Sequence, residues 1–158
     1  MDIKLLILDV DGTLTDGKIY MSANGELLKA FNIKDGYALV HLPEYGVTPV
    51  IITGRQSEIV LRRCSELGIK EIYQGVKDKV ECLKMVCANR NVQLQQCAYI
   101  GDDLNDLDCM GLCGHSAAPA DAMKRVREFV DYVCEMRGGE GAVREYCDYI
   151  VEYLLNEK

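Results

Sequence analysis

Short apolar runs alternate with amphipathic stretches along almost the whole chain. Three of these runs are each followed at once by polar residues, and they span residues 5–10, 48–52 and 97–100. A near-continuous apolar run of this length is typical of a strand buried on both faces of a parallel sheet. The sequence therefore predicts at least three central parallel strands.

The stretches between these runs have helical periodicity. Residues 59–67 and 80–87 place apolar side chains on one side of a helix, and Gly68 is a suitable stop for the first of them. Strand–helix–strand alternation with short connections predicts an α/β fold, in which a Rossmann-like parallel sheet carries helices on both faces.

One segment interrupts the alternation. Residues 18–31 contain two β-like runs on either side of Asn24-Gly25, a dipeptide that favours tight turns between antiparallel strands. We expect a β-hairpin inserted directly after the first strand, projecting near the polar residues that follow it.

Length and charge limit the classes of protein to consider. The 158 residues predict one domain over 1–158, with a C-terminal tail at about 137–158. The net charge of −7, without a basic patch, argues against nucleic-acid binding. The beginning of the chain lacks the features of a signal peptide, and its apolar run is too short to span a bilayer. These features indicate a cytoplasmic protein without a membrane segment.

Cysteine is abundant, but its pattern is scattered. None of the eight cysteines forms a CxxC pair, and several lie at positions where a helix or strand would bury them. Reduced thiols that act as small apolar side chains fit this pattern, and a zinc site or a disulfide framework is the alternative.

The three polar clusters fall at the carboxyl ends of the predicted strands, which is the edge where parallel α/β sheets bind ligands. Asp9 and Asp11 are two residues apart, so an extended backbone would direct both toward one pocket. Asp102, Asp103 and Asp106 would approach from a neighbouring strand. Because so many carboxylates cannot all stay ionised without a cation, the cluster predicts Mg²⁺, which prefers oxygen ligands.

Two further side chains suit a phosphate. Thr53 follows the second run, and Lys79 begins the second helical stretch, so a hydroxyl and an ammonium could both reach phosphate oxygens. Together with a carboxylate nucleophile and Mg²⁺, these groups favour phosphoryl transfer.

Simpler interpretations explain each cluster alone. A calcium-binding EF-hand loop beginning at Asp9 would need an acidic or amide residue at its fifth position and Glu at its twelfth, where Thr13 and Tyr20 stand. Asp102-Asp103 could cap a helix, and Lys79 could be a solvated helix residue. The order of the clusters at successive strand ends favours a common site.

These residues resemble the four-motif signature of the haloacid dehalogenase superfamily over nearly the whole chain. The matching segments are Asp9-x-Asp11-Gly12-Thr13, Thr53-Gly54-Arg55, Lys79 and Gly101-Asp102-Asp103-x-x-Asp106. The resemblance implies a phosphatase that forms an aspartyl phosphate.

The resemblance also implies a role for each matched residue. Asp9 would attack phosphorus, Asp11 would act as general acid and then base, and Thr53 and Lys79 would hold the phosphoryl group. Mg²⁺ would bind a carboxylate oxygen of Asp9, the backbone oxygen of Asp11 and the carboxylate of Asp102. Asp103 and Asp106 would support the site from behind these ligands.

The spacing of the motifs leaves no room for a cap domain. Thirty-nine residues separate Thr13 from Thr53, and 25 separate Thr53 from Lys79, which is enough for the hairpin and the elements of the sheet. An uncapped site is open to water, so we expect a neighbouring subunit to supply the missing wall.

Three segments resemble one capless branch, the 3-deoxy-D-manno-octulosonate 8-phosphate (KDO 8-phosphate) phosphatases. They are residues 29–37, Thr53-Gly54-Arg55 and residues 137–145. The branch implies a magnesium-dependent homotetramer of lipopolysaccharide sugar biosynthesis that acts on a small phosphorylated sugar acid. It also implies that the glycine-rich tail reaches toward a neighbour's active site. The implied substrate contacts are Asn32, Ile33, Lys34, Asp35, Gly36, Gly54, Arg55 and Arg63.

Several alternatives remain open at this stage. Some members of the branch carry Arg where this chain has Val40, and a sister branch acts on nine-carbon acids such as KDN 9-phosphate or N-acetylneuraminate 9-phosphate. The sister branch carries an acidic residue in place of Arg55, so the resemblance favours the eight-carbon sugar, whose carboxylate Arg can bind in a bidentate manner. A non-catalytic assembly domain and a phospho-acceptor receiver domain are the other classes. A receiver places its acceptor on a later strand, whereas the presumed nucleophile here follows the first.

Overall fold

The computed structural model describes the backbone of residues 2–156 and the side chains of residues 2–153. Met1 and the last two residues of the segment predicted as a tail lie outside the described residues.

Six parallel strands form the central sheet. They are β1 (Leu5–Leu8), β4 (Thr48–Ile52), β5 (Ile72–Tyr73), β6 (Cys97–Ile100), β7 (His115–Ala118) and β8 (Tyr132–Val133). Their order in the sheet is β5-β4-β1-β6-β7-β8. The three strands predicted from apolar runs are inner members of the sheet, so the predicted Rossmann-like parallel sheet is confirmed.

Helices cover both faces of this sheet, as the alternation predicts. Side chains of successive strand residues point to opposite faces, so Leu6 and Leu8 of β1 enter one core while Leu5 and Ile7 enter the other. The helices are α1 (Ile33–His41), α2 (Glu58–Glu66), α3 (Lys79–Arg90), α4 (Leu107–Met110), α5 (Lys124–Arg127) and α6 (Ala142–Asn156). The first core receives α1, α2 and α6, and the second receives α3, α4 and α5.

No helix within residues 2–156 combines the length and the apolar character that crossing a bilayer requires. The described thiols behave as the cysteine pattern predicts: all eight are unpaired and six are buried.

The predicted hairpin is present, although its strands are shorter than the segment 18–31. It consists of β2 (Tyr20–Ser22) and β3 (Gly25–Leu28), which pair antiparallel in a separate two-stranded sheet. Between the end of β1 and the beginning of β4, the described chain contains this hairpin, α1 and one 3₁₀ turn (Leu42–Tyr45). Between β4 and α3 it contains α2 and β5. Neither interval holds a cap domain.

The segment predicted as a C-terminal tail contacts the loop after β1 of its own chain and continues into the last helix. Gly139 donates its backbone N–H to the Thr13 carbonyl at 3.1 Å. A side chain on Gly138 would place its Cβ 2.0 Å from the Gly12 carbonyl oxygen, so glycine is needed where these two loops touch. The residues that follow form α6, whose Tyr146 and Ile150 are buried in the first core.

A buried carboxylate holds the beginning of α6. Asp35 of α1 is 1% exposed, and its Oδ1 accepts the backbone N–H of Arg144 at 2.8 Å. This N–H lies in the first turn of α6, where the helix offers no carbonyl partner. Asp35 therefore caps α6 from a distant part of the chain. Burial raises the pKa of Asp35 to about 6.

We expect Asp35→Ala to lower the free energy of unfolding by about 1–2 kcal/mol, because the Arg144 N–H loses its acceptor. Asp35→Asn keeps an acceptor oxygen and removes the buried charge. The pKa of Asp35 is about 6 in the folded protein and about 4 in the unfolded chain. The contribution of Asp35 to the free energy of unfolding of the wild type therefore falls as pH rises from about 4 to 6. Urea unfolding should therefore show Asp35→Asn gaining stability relative to wild type between pH 5 and pH 7.5. If the difference in stability between Asp35→Asn and wild type is the same at both pH values, Asp35 is not a buried ionisable cap. Asp108→Asn, at an exposed position, is the control.

Candidate active site

Asp9 lies in the loop directly after β1, at the carboxyl edge of the sheet. Its backbone N–H donates to the Ile100 carbonyl at 3.1 Å, which ties the loop to β6. The loop turns sharply, and Gly12 adopts a φ of +87°. A Cβ on Gly12 would stand 2.0 Å from Oδ2 of Asp102. Glycine at this position therefore allows the loop after β1 and the loop after β6 to meet.

Lys79 joins two carboxylates beneath this edge. It is the first residue of α3, which Asp78 caps by accepting the backbone N–H of Glu81 at 3.0 Å. The Lys79 Nζ donates to Oδ1 of Asp9 at 2.8 Å and to Oδ1 of Asp106 at 2.7 Å. Burial alone would lower the pKa of Lys79, but the two carboxylates outweigh it and raise the pKa.

Asp106 is fully occupied by its neighbours. Its Oδ1 accepts from Lys79 and from the hydroxyl of Tyr99, each at 2.7 Å. Its Oδ2 accepts the backbone N–H groups of Asp102 and Asp103 at 3.2 and 3.3 Å. Four donors saturate the two oxygens, so Asp106 is suited to hold Lys79 and the loop after β6 rather than a metal ion.

The carboxylates have the composition and spacing of a cation site. One carboxylate oxygen from each of Asp9, Asp102 and Asp106 lies within 4.8 Å of the others. Burial, followed by repulsion from Asp106, raises the pKa of Asp9 to about 6. Burial and the charges of Asp9 and Asp106 raise the pKa of Asp102 to about 8. A divalent cation would relieve this repulsion, and a set of carboxylate oxygens fits Mg²⁺.

Thr53 stands at the end of β4, next to β1. It is buried, and its backbone exchanges hydrogen bonds with the Tyr73 carbonyl at 3.0 Å and the Val76 N–H at 3.1 Å. The exposed Gly54 follows it. Thr53 and Lys79 thus come from elements that meet at the same edge of the sheet as Asp9.

Asp11 lies against the hairpin. Its Oδ1 contacts the Lys29 Nζ, and its Oδ2 is 3.9 Å from the Arg55 Nε. The side chain of Arg55 is 45% exposed, so this predicted substrate contact borders the open side of the site.

Two other predicted substrate contacts lie farther along the same side. Asn32 caps α1 through the Lys34 N–H at 2.9 Å, and its Nδ2 donates to the Gly139 carbonyl at 3.2 Å. Arg63 packs against Gly36, where an added Cβ would come 2.5 Å from its Nη2. The Arg63 Nε is buried without a hydrogen-bond partner.

The remaining predicted residues differ in exposure. Ile33 is 81% exposed and Lys34 is exposed, whereas Asp35 is buried and its carboxylate holds the beginning of α6. Asp103 is exposed and accepts the Leu104 N–H at 2.7 Å, which caps the 3₁₀ turn after β6.

Sequence reasoning missed three residues that contact the site. Tyr99 donates to Asp106, and Glu26 and Lys29 of the hairpin segment form ion pairs beside Asp11. A hydroxyl within an otherwise apolar strand was one available signal for Tyr99. No local pattern indicated the contacts of Glu26 and Lys29 with each other and with Asp11, because these contacts follow from where the hairpin docks.

Comparisons with known proteins agree with this geometry. A sequence model of the haloacid dehalogenase-like hydrolases matches residues 64–145. The 3-deoxy-D-manno-octulosonate 8-phosphate phosphatase KdsC of Yersinia pestis is 45% identical over 150 residues, which cover 95% of this chain and 80% of that protein. KdsC of Escherichia coli K12 has the same identity and coverage.

Solved structures are similar over nearly the whole chain. A KDO 8-phosphate phosphatase from Moraxella catarrhalis, crystallised with magnesium, phosphate and KDO, has a TM-score of 0.94 and 41% identity, covering 98% of this chain and 89% of its own. The cobalt-bound enzyme from Haemophilus influenzae has a TM-score of 0.94 and 40% identity, covering 97% and 90%. With this agreement in sequence, fold and site, the chain belongs to the haloacid dehalogenase-like hydrolases.

Proposed function

We propose that this protein is a magnesium-dependent phosphatase that hydrolyses KDO 8-phosphate to KDO and phosphate through an aspartyl phosphate. The observation that carries the proposal is Asp9, held by the buried Lys79 at the carboxyl edge of the sheet, in a chain 45% identical to KdsC over 95% of its length.

In this mechanism Asp9 is the nucleophile. Lys79 holds its Oδ1, which leaves the other oxygen to attack phosphorus. The bond between that oxygen and phosphorus forms as the bond from phosphorus to the sugar oxygen breaks. Water then attacks the aspartyl phosphate, and Asp9 leaves as a free carboxylate.

Asp11 handles the protons. It donates one to the departing sugar oxygen in the first step, and it takes one from the attacking water in the second. Its place beside the exposed Arg55 puts it on the side of the site open to a leaving group.

The transferred phosphoryl group is held by Thr53, Gly54 and Lys79. A hydroxyl, a backbone N–H and an ammonium would surround oxygens that carry growing negative charge. Carboxylate oxygens of Asp9 and Asp102 and the backbone oxygen of Asp11 would hold Mg²⁺, which supplies charge neutralisation for the phosphoryl oxygens. Asp103 and Asp106 support these ligands.

We propose that Arg55 and Arg63 recognise the carboxylate end of the sugar acid, together with the segment Asn32, Ile33, Lys34, Asp35 and Gly36. Arg55 is exposed at the rim, and the side chain of Arg63 is 26% exposed, so part of its guanidinium group can meet a ligand. Asp35 and Gly36 would act indirectly: Asp35 caps α6, and Gly36 leaves room for the guanidinium.

The proposed assembly is a homotetramer in which a neighbouring subunit completes the open site. The hairpin supports it, because Ile19, Met21, Leu27 and Leu28 are exposed apolar side chains on a projecting element. We further propose that residues 1–158 act as a single domain, in the cytoplasm, in lipopolysaccharide sugar biosynthesis.

The direct test is phosphate release from KDO 8-phosphate, KDN 9-phosphate, N-acetylneuraminate 9-phosphate and hexose phosphates, with Mg²⁺ or with EDTA. We expect preference for the eight-carbon acid, and loss of at least about 100-fold in kcat with EDTA or in Asp9→Asn. Asp108→Asn is the matched control and should keep wild-type activity. Preference for a nine-carbon acid would contradict the proposed substrate, and metal-independent turnover would contradict the mechanism.

Because Asp106 accepts four hydrogen bonds, we expect its substitution to have a larger effect than removal of one of its donors. Asp106→Asn should lower kcat by about 10–100-fold and stability by about 1–3 kcal/mol, because an amide cannot accept from all four donors. Tyr99→Phe removes one donor and leaves the other three satisfied, so its effects should be several-fold smaller. Steady-state kinetics and urea unfolding measure both quantities. Equal effects of the two variants would show that Asp106 does not hold Lys79 in place.

A further inference from the structure

A compact charge cluster links the hairpin to Asp11. Lys29, just after β3, has a side chain only 2% exposed. Its Nζ contacts Oδ1 of Asp11 and lies 2.8 Å from Oε1 of Glu26. An ammonium group so deeply buried needs close anionic partners to offset its desolvation. Asp11 and Glu26 are those partners.

The other end of the cluster is anchored to a helix. The Ser57 hydroxyl donates to Oε2 of Glu26, and Ser57 also caps α2 by accepting the Val60 N–H at 3.4 Å. The Ser57 N–H donates in turn to Gln74 at 2.8 Å. Glu26 thus connects Lys29 to the beginning of α2, a few residues after Thr53 in the chain.

The two oxygens of Asp11 have different surroundings. Lys29 occupies Oδ1, whereas the Arg55 Nε is 3.9 Å from Oδ2, beyond hydrogen-bond distance. A carboxylate held by one oxygen has its second oxygen in a defined direction, and that oxygen is free to exchange a proton.

From this geometry we infer that Lys29 is a positioning residue for Asp11. Held by Glu26, it fixes Oδ1 so that Oδ2 delivers the proton to the departing oxygen of the substrate. The inference rests on the proposed function, because it assigns Asp11 the proton transfer. Lys29 itself is too buried to reach a substrate, which distinguishes it from the exposed Arg55.

The role predicts a dependence on the leaving group. An alkyl phosphate needs a proton on its departing oxygen, whereas p-nitrophenyl phosphate releases a stable phenolate that needs little protonation. In Lys29→Met, kcat/KM, which reports aspartyl phosphate formation, should fall about 10–100-fold for the alkyl substrate and less than about threefold for the aryl one. KM for the alkyl substrate should change less than kcat. Lys18→Met, an exposed lysine of the same hairpin segment, is the matched control and should behave as wild type.

A double-mutant cycle separates positioning from general loss of structure. Adding Lys29→Met to Asp11→Asn should change kcat/KM by less than about twofold, because the group on which Lys29 acts is already gone. Glu26→Gln should reproduce the alkyl-specific defect more weakly, and Lys29→Arg, which keeps the charge, should restore part of it. These two variants also keep the inference testable if Lys29→Met does not fold.

Equal losses on the alkyl and aryl substrates, or additive losses in the cycle, would overturn the inference. The alkyl substrate is whichever alkyl phosphate the wild-type protein hydrolyses fastest. Failure on KDO 8-phosphate alone would therefore contradict the proposed function and leave the test of Lys29 intact.

Discussion

The site depends on one buried ammonium group between two carboxylates. Lys79 joins Asp9 from the end of β1 to Asp106 from beyond β6, and without it two anions would face each other in a poorly solvated space. Lys79 is also the first residue of α3, so the contact ties the beginning of that helix to the site. A single side chain therefore links the proposed nucleophile, the sheet edge and a helix terminus.

The sequence could predict this centre because parallel strands bring their carboxyl ends together whatever the intervening helices do. Three apolar runs, with Asp9, Thr53 and Asp102 at or near their ends, were enough to predict the cluster. The helical stretch that begins at Lys79 indicated where this lysine lies along the chain. The hairpin could be predicted for a similar reason, because a tight turn between two short β-like runs indicates it. The strands of both sheets could be predicted because the pattern of neighbouring residues indicates each strand.

What the sequence could not predict depends on contacts between distant segments. Asp35 was expected beside the substrate, yet the period of α1 turns it inward to a helix that begins more than a hundred residues later. The close approach of the backbone at Gly138 to the loop after β1 is a second such contact, which the resemblance to a family did not indicate. Lys29 shows the same limit, because its burial follows only from where the hairpin docks.

The strand order also bears on how the chain becomes active as it is synthesised. β1 leaves the ribosome first, but its neighbours β4 and β6 begin only at Thr48 and Cys97. Such distant pairing gives a high contact order and slows folding. Asp9 meets the whole of its electrostatic environment only after Asp106 has been made, about two-thirds of the way along the chain. A nascent chain that ends before Asp106 would carry Asp9, the proposed nucleophile, without the complete set of charged groups around it, so we expect it to be inactive.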